Sequence, residues 1–188
     1  MYHIKQDNRS QASAAEIVRG LQECLKTMPL KAITVTDIHR VTGISRATFY
    51  RLFDNTEDVL HCQLDWMLEE NESRYNRDAV FHPQGMLEET IALGFSRYEF
   101  LKALVDNGRF DLLYDYTERS FRTLDQVYPI FPVDMEAIER EYVISHLSMA
   151  MVTTLITWAR NGRKETAADV VRYLKHYVQL MSGLIGED

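Results

Sequence analysis

Hydrophobic residues recur at three- and four-residue spacings along most of this chain of 188 residues, and short polar or glycine-containing segments separate the repeats. This period is typical of amphipathic helices, whereas no stretch alternates with a period of two for long enough to predict a strand. Helices are therefore predicted over residues 10–28, 56–77, 84–106 (with a break near Gly94), 109–128 and 134–160, with a last helix after Thr166. Asn55 and Asp134 are suited to cap the helices that follow them, and Thr166 with Asp169 has the spacing of a capping box. A loop is predicted at His82–Pro83, a linker over residues 128–133, and the end of the helix 134–160 at Asn161–Gly162. The pattern predicts an all-α fold.

Residues 34–53 predict two short helices joined by a tight turn. Thr34 and Asp37 have the spacing of a capping box at the start of the first helix. Gly43 is suited to end that helix in the left-handed conformation, and Ser45 is suited to cap the second helix. Each helix also has a hydrophobic residue just before its cap and another at the fourth helical position (Ile33 with Ile38, Ile44 with Phe49). The segment is predicted to be a helix-turn-helix, whose second helix would enter the DNA major groove.

The run Ser45–Phe53, followed by Asn55 and residues 57–60, closely resembles the signature of the TetR family of bacterial transcriptional regulators. The resemblance covers residues 34–60, and the rest of the chain agrees with that family in length, helicity and order of helices. It implies an N-terminal three-helix helix-turn-helix DNA-binding domain over residues 1–54. It also implies a C-terminal helical bundle over residues 55–188 for effector sensing and dimerisation.

The candidate DNA-binding residues are polar and small residues at positions that are not needed to pack the helices together. Arginine can read guanine with two hydrogen bonds, whereas threonine and tyrosine hydroxyls mostly meet phosphate. The predicted DNA-binding residues are Thr34, Thr36, Ser45, Arg46, Ala47, Thr48, Tyr50, Arg51 and Thr56. Thr56 departs from the resemblance, because many members have a phosphate-binding lysine there. A purely structural reading stays open for the apolar positions, which would form the core of a three-helix unit: Ile38, Val41, Ile44, Phe49, Leu52 and Phe53.

Charge is unevenly distributed along the chain. The net charge is −7, which alone argues against nucleic acid. Residues 1–53, however, hold 8 Lys and Arg against 4 Asp and Glu, whereas residues 54–188 hold 13 against 24. A basic head on an acidic body would direct one end of the protein to DNA. Ordinary variation explains the same asymmetry equally well.

The two cysteines, Cys24 and Cys62, fall on apolar helix faces and are predicted to be buried free thiols, as in a reducing cytoplasm. A redox-sensing pair is the alternative. No apolar leader opens the chain, and the uncharged stretch 142–159 contains enough Ser, Thr and His to predict burial in protein rather than in a membrane. No phosphate loop, nucleophile motif or metal-ligand spacing is present, so no enzymatic activity, cofactor or metal is expected.

The helix predicted over residues 134–160 is apolar on more than one side and therefore needs covering on two faces. Pairing of this helix and the next with a second copy would form a four-helix bundle and a homodimer. Two recognition helices about 35 Å apart would then meet successive major grooves of a palindromic operator. The predicted interface residues are Met151, Leu155, Trp158, Leu174, Val178 and Met181. A monomer with one thick core is the alternative.

The region 61–133 is rich in aromatic residues, which can line a pocket for an apolar or flat effector. The predicted pocket residues are Trp66, Phe95, Phe100, Tyr114 and Phe121, although aromatic residues are more often plain core. The expected function is that of a cytoplasmic, homodimeric repressor that binds double-stranded DNA and is released by an unidentified small molecule. The alternative is a helical co-regulator that binds another protein and keeps the motif as a scaffold.

Overall fold

The computed structural model describes residues 1–75, 83–127 and 130–185. Within these ranges the regular structure consists of nine α-helices and one short 3₁₀-helix, with no strand beyond an isolated bridge between Tyr2 and Phe53. The α-helices are α1 Asn8–Leu25, α2 Val35–Thr42, α3 Arg46–Leu52, α4 Thr56–Tyr75, α5 Pro83–Ser96, α6 Tyr98–Asp106, α7 Phe110–Val127, α8 Ala137–Arg160 and α9 Ala167–Ile185. The predicted all-α fold is confirmed.

The chain forms two compact units, and neither is a continuous stretch of sequence. The first unit comprises Met1–Glu70 and Glu99–Tyr116, and the second comprises Asn71–Tyr98 and Thr117–Asp188. The first unit thus contains α1 to α3, most of α4, all of α6 except Tyr98, and the beginning of α7. The functional boundary after residue 54 remains a prediction.

The first unit is held together by apolar faces of short and long helices. The fully buried side chains of its helix-turn-helix part are Ile17, Leu21, Ile38, Phe49, Leu52 and Phe53. Helix α1 packs closely on α2 at Gly20, where a Cβ atom would come within 2.3 Å of the Thr42 methyl carbon. Burial of several large apolar side chains at about 1.5–3 kcal/mol each supplies most of the stabilisation.

In the second unit, residues of α5, α8 and α9 share one core. Its buried members are Ile91, Met151, Val170 and Val171, and the half-buried side chains of Phe95, Phe121 and Leu174 pack against them. Helix α8 is long and apolar enough, by length and composition, to cross a membrane. It nevertheless contributes Met151 to this core.

The turn between α8 and α9 is fixed by Trp158. The Trp158 ring stacks on the Phe95 ring with centroids 3.6 Å apart and planes 4° apart. Its Nε1–H group donates to the Glu165 carbonyl at 2.9 Å. Thr166 and Asp169 form the predicted capping box of α9, with hydrogen bonds of 3.0 and 3.2 Å in the two directions. The predicted end of α8 at Asn161–Gly162 is confirmed.

Two predicted helix starts differ from the structure by two or more residues, and the segment predicted as helical over 84–106 forms two helices, α5 and α6. Helix α1 begins two residues early, because the Asp7 carboxylate accepts the Ser10 N–H group at 2.9 Å and so caps it. The prediction that Asp134 caps α8 is wrong. Asp134 lies inside a turn closed by the hydrogen bond from Met135 N–H to the Pro132 carbonyl, and α8 starts only at Ala137. The predicted loop residue His82 and linker residues 128 and 129 lie outside the described ranges.

Both cysteines are buried free thiols, as predicted. Burial raises the pKa of the Cys62 thiol to about 12, and burial also raises the pKa of Cys24. A thiol with a raised pKa is protonated at neutral pH and is a poor nucleophile.

Candidate nucleic-acid interface

Helix α2 begins in the predicted capping box. The Thr34 hydroxyl oxygen accepts the Asp37 N–H group at 3.3 Å, and the Asp37 carboxylate accepts the Thr34 N–H group at 2.9 Å. The Thr34 hydroxyl also donates to that carboxylate at 2.6 Å. These hydrogen bonds hold the pKa of Asp37 below its usual value of 3.8. The start of α2 is therefore fixed, and the Thr34 hydroxyl hydrogen is already engaged.

The turn between α2 and α3 is closed by its backbone and by the side chains of Thr42 and His39. The Thr42 hydroxyl oxygen accepts the Ile44 N–H group at 3.1 Å. Gly43 has the left-handed conformation predicted for it, with φ of +74°. The Nδ1–H group of His39 donates to the Ile44 carbonyl at 2.8 Å, a bond that crosses the turn. A lone histidine on an exposed helix face gives no sequence signal for such a bond, because the bond depends on the path of the turn.

Helix α3 buries one face and exposes the other. Its Ser45 cap accepts the Thr48 N–H group at 3.1 Å. Phe49 and Leu52 are each only 1% exposed and anchor the helix, while Tyr50 is 54% exposed. Arg46, Ala47 and Arg51 are also exposed, and Thr48 is half-buried. The predicted contact residues thus lie on the surface that packing leaves open.

One of the predicted core positions in this segment is wrong. Val41 is 43% exposed, because α2 packs on the first unit mainly through Ile38, and Ile44 is half-buried. Two other predicted contact residues lie outside α3. Thr36 is exposed on α2, and Thr56 is half-buried at the start of α4, where Asn55 caps the helix by accepting the Asp58 N–H group at 3.0 Å.

The carboxylates of residues 1–53 are all engaged within the first unit. Asp7 caps α1 and Asp37 belongs to the capping box, where Arg40 also pairs with it. Glu16 pairs with Arg19 at 2.7 Å, and Glu23 pairs with Lys26 at 2.7 Å. Five cations of this segment make no ion pair with the described residues: Lys5, Arg9, Lys31, Arg46 and Arg51. The positive charge of residues 1–53 therefore remains available to bind DNA. Lys5, Arg9 and Lys31 are added to the candidate DNA-binding residues.

The predicted effector-pocket residues are divided between the two units. Trp66, Phe100 and Tyr114 belong to the first, and Phe95 and Phe121 belong to the second. Phe100 is only 6% exposed, and Phe95 is stacked on Trp158. A cavity of about 210 Å³ opens in the second unit, but none of the five predicted residues lines it. Its lining is Thr153, Thr154, Thr157, Trp158, Asn161, Glu165, Val170, Tyr173 and Leu174.

The predicted interface residues differ widely in exposure. Met151 and Trp158 are buried inside the second unit, Leu155, Leu174 and Met181 are half-buried, and Val178 is 63% exposed. Exposed apolar residues form instead a stripe on each of the last two helices, at spacings of three, four or seven residues that keep one helix face. On α8 the stripe is Ile138, Tyr142 and Met149, and on α9 it is Tyr173, Tyr177 and Leu180. Met151 and Trp158 are buried in their own core, so these stripes, with Leu147 and Val178, are the exposed large apolar side chains of α8 and α9.

Within the described ranges, no group of three or more His, Cys, Asp or Glu residues is placed to hold a metal ion.

No protein-family profile and no curated protein matches the chain. Several solved structures share its fold. A protein of Listeria innocua, Lin0861, superposes with a TM-score of 0.78 at 10% identity, covering 96% of both chains. A TetR transcriptional regulator from Streptococcus agalactiae gives 0.63 at 19% identity, covering 87% of this chain and 91% of that one. The dihydroxyacetone kinase operon activator DhaS gives 0.59 at 16% identity, covering 92% and 97%. The chain therefore has the fold of the TetR-type transcriptional regulators.

Proposed function

We propose that this protein is a sequence-specific DNA-binding transcriptional regulator that acts through α3. The observation that carries this proposal is the outward face of α3, where Arg46, Tyr50 and Arg51 are exposed while Phe49 and Leu52 fix the helix from within. Neither arginine makes an ion pair with a described residue. Exposed arginines on a capped second helix are what recognition of base edges and phosphates in a major groove requires.

The same proposal includes a homodimer. The α8 and α9 stripes leave six large apolar side chains exposed on one chain, and soluble proteins usually cover such surfaces with a partner. A symmetric pairing of α8 and α9 would bury both stripes at once. Two copies of α3 would then bind the half-sites of a palindromic operator.

Regulation by a small molecule completes the proposal, with the protein acting in the cytoplasm as a repressor that the effector releases from DNA. DhaS is described as an operon activator, so a protein of this fold can also be an activator rather than a repressor. The residues proposed for the effector remain the aromatic set predicted from the sequence.

Selection of duplexes from a randomised DNA pool tests the proposal directly. The full-length protein should enrich one palindromic sequence, and sedimentation should show two protomers on each selected duplex. Enrichment of no sequence would overturn the proposal in favour of a protein-interaction co-regulator that keeps the helix-turn-helix as a scaffold. The absence of a lysine at position 56 and the net charge of −7 are the features that favour this alternative.

A further inference from the structure

Tyr2 and His3 contact the C-terminal end of α3. The His3 N–H group donates to the Leu52 carbonyl at 2.8 Å, and Tyr2 forms an antiparallel bridge with Phe53. Leu52 is the last residue of α3, and its side chain is only 1% exposed. The last carbonyls of a helix have no partner within the helix, and a buried carbonyl without a donor is costly. His3 supplies that donor from outside α3.

The same segment also reaches α4. The Tyr2 hydroxyl donates to the Asp65 carboxylate at 2.6 Å, and the Tyr2 ring lies 6.3 Å from the Phe53 ring, centroid to centroid. Residues 2 and 3 therefore bridge the C-terminal end of α3 and a residue well inside α4. We refer to Tyr2 and His3 as the N-terminal strap. None of its contacts lies on the exposed face of α3.

Helix α3 has only seven residues, which is too short for a helix to be stable or rigid in isolation. Its orientation depends on contacts at its two ends and on Phe49 and Leu52 between them. The N-terminal end is fixed by Ser45 and by the turn that His39 closes. At the C-terminal end, the strap supplies a hydrogen-bonded link from α3 to α4.

We propose that the N-terminal strap positions the recognition helix, and that Tyr2 is a positioning residue for sequence-specific DNA binding. This inference rests on the proposed function. Base readout requires side chains held within a fraction of an ångström, whereas attraction to phosphates tolerates displacement. Loss of the strap should therefore lower affinity for the preferred sequence more than affinity for an arbitrary duplex.

The test uses full-length protein with an unaltered N-terminus, a duplex selected by the wild-type protein and a scrambled duplex of equal length. Tyr2→Phe removes the hydroxyl and keeps the ring. Asp65→Leu removes the acceptor, whereas Asp65→Asn keeps an oxygen that can accept. The His3 imidazole also contacts the Asp54 carboxylate at 3.1 Å. His3→Pro removes the backbone donor, whereas His3→Gln keeps it together with a side chain that can donate to Asp54. Tyr98→Phe, which removes a tyrosine hydroxyl from the second unit, is the control.

Loss of one hydrogen bond should weaken binding to the selected duplex roughly three- to tenfold in Tyr2→Phe, Asp65→Leu and His3→Pro, with binding to the scrambled duplex unchanged. The Tyr2→Phe/Asp65→Leu double variant should be no weaker than either single variant. Asp65→Asn, His3→Gln and Tyr98→Phe should bind both duplexes as the wild type does.

Equal binding of the selected duplex by wild type and by all three strap variants would overturn the proposal. So would an equal loss of affinity for both duplexes, since that pattern indicates general destabilisation rather than misorientation. If the wild-type protein enriches no duplex, the proposed function itself fails, and the positioning role fails with it.

Discussion

The side-chain oxygen of Asn107 accepts the backbone N–H group of Leu30 at 2.8 Å, although the two residues are 77 positions apart. The Asn107 Nδ2 group donates to the Ala103 carbonyl at 2.8 Å and so ties this bond to the end of α6. Beside it, Arg109 lies 2.7 Å from the Glu57 carboxylate in the first turn of α4. The turn between α6 and α7 is thus fastened to the segment before α2 and to the start of α4.

Asn107→Ala should lower the free energy of unfolding by about 1–2 kcal/mol, because it leaves the part-buried Leu30 N–H group without an acceptor. Urea unfolding followed by circular dichroism measures this. Asn107→Asp keeps the acceptor for Leu30 and loses only the donor to Ala103, so its loss should be smaller. Equal stability of Asn107→Ala and wild type would show that this bond contributes nothing.

The local structure of this protein could be predicted from sequence better than its long-range contacts. Capping by Thr34, Ser45 and Asn55 depends on residues three positions apart, and each cap is present as predicted. The contacts of Asn107 with Leu30 could not be predicted, since nothing in the spacing of either residue indicates the other. For α8, the sequence predicted apolar residues on two faces but not which face is exposed. The helical period of apolar residues does not show which face packs against the rest of the same chain.

Acid should destabilise the protein partly through Asp37. Hydrogen bonds from Thr34, and secondarily attraction to Arg40, hold the pKa of Asp37 below 3.8 in the folded state. A carboxylate with a lowered folded-state pKa contributes stability that is fully present above its unfolded pKa and is lost as the pH falls through the folded value. The free energy of unfolding should therefore decline below pH 3.8, and Asp37→Asn should reduce that decline.

Thr34→Ala is the second variant for this measurement of the free energy of unfolding against pH. Because the Thr34 hydroxyl is the main cause of the lowered pKa, this variant should reduce the acid dependence nearly as much as Asp37→Asn does. An unchanged pH profile in both variants would mean that the capping box is not linked to acid stability.

Leu180→Glu should convert the proposed dimer into a folded monomer. Leu180 is 63% exposed on the α9 stripe, so the charge disturbs no contact within one chain, but it would be buried without a partner in a dimer. Sedimentation equilibrium measures the change. Gln179→Glu adds the same charge at an exposed position off the stripe and should remain a dimer. If Leu180→Glu also remains a dimer, the interface lies elsewhere.

Affinity for DNA should fall steeply as salt rises, because each phosphate neutralised adds about 0.9 to the slope of log affinity against log salt concentration. Substitution of one unpaired head cation, as in Arg51→Gln, should reduce that slope by about 1 if it meets a phosphate. Lys175→Gln on α9 removes a charge from the second unit and should leave the slope unchanged. Equal slopes in all three proteins would exclude Arg51 from the phosphate contacts.

The most direct test of the central claim is the affinity of wild type and Arg46→Ala for the selected duplex and for duplexes with single base substitutions. Recognition through α3 predicts a loss of about 1–3 kcal/mol in Arg46→Ala, with preference relaxed at one base pair of each half-site. Tyr50→Phe should weaken binding uniformly across these duplexes, as expected for a phosphate contact. Unchanged affinity and unchanged preference in both variants would contradict the assignment of α3 as the DNA-reading helix.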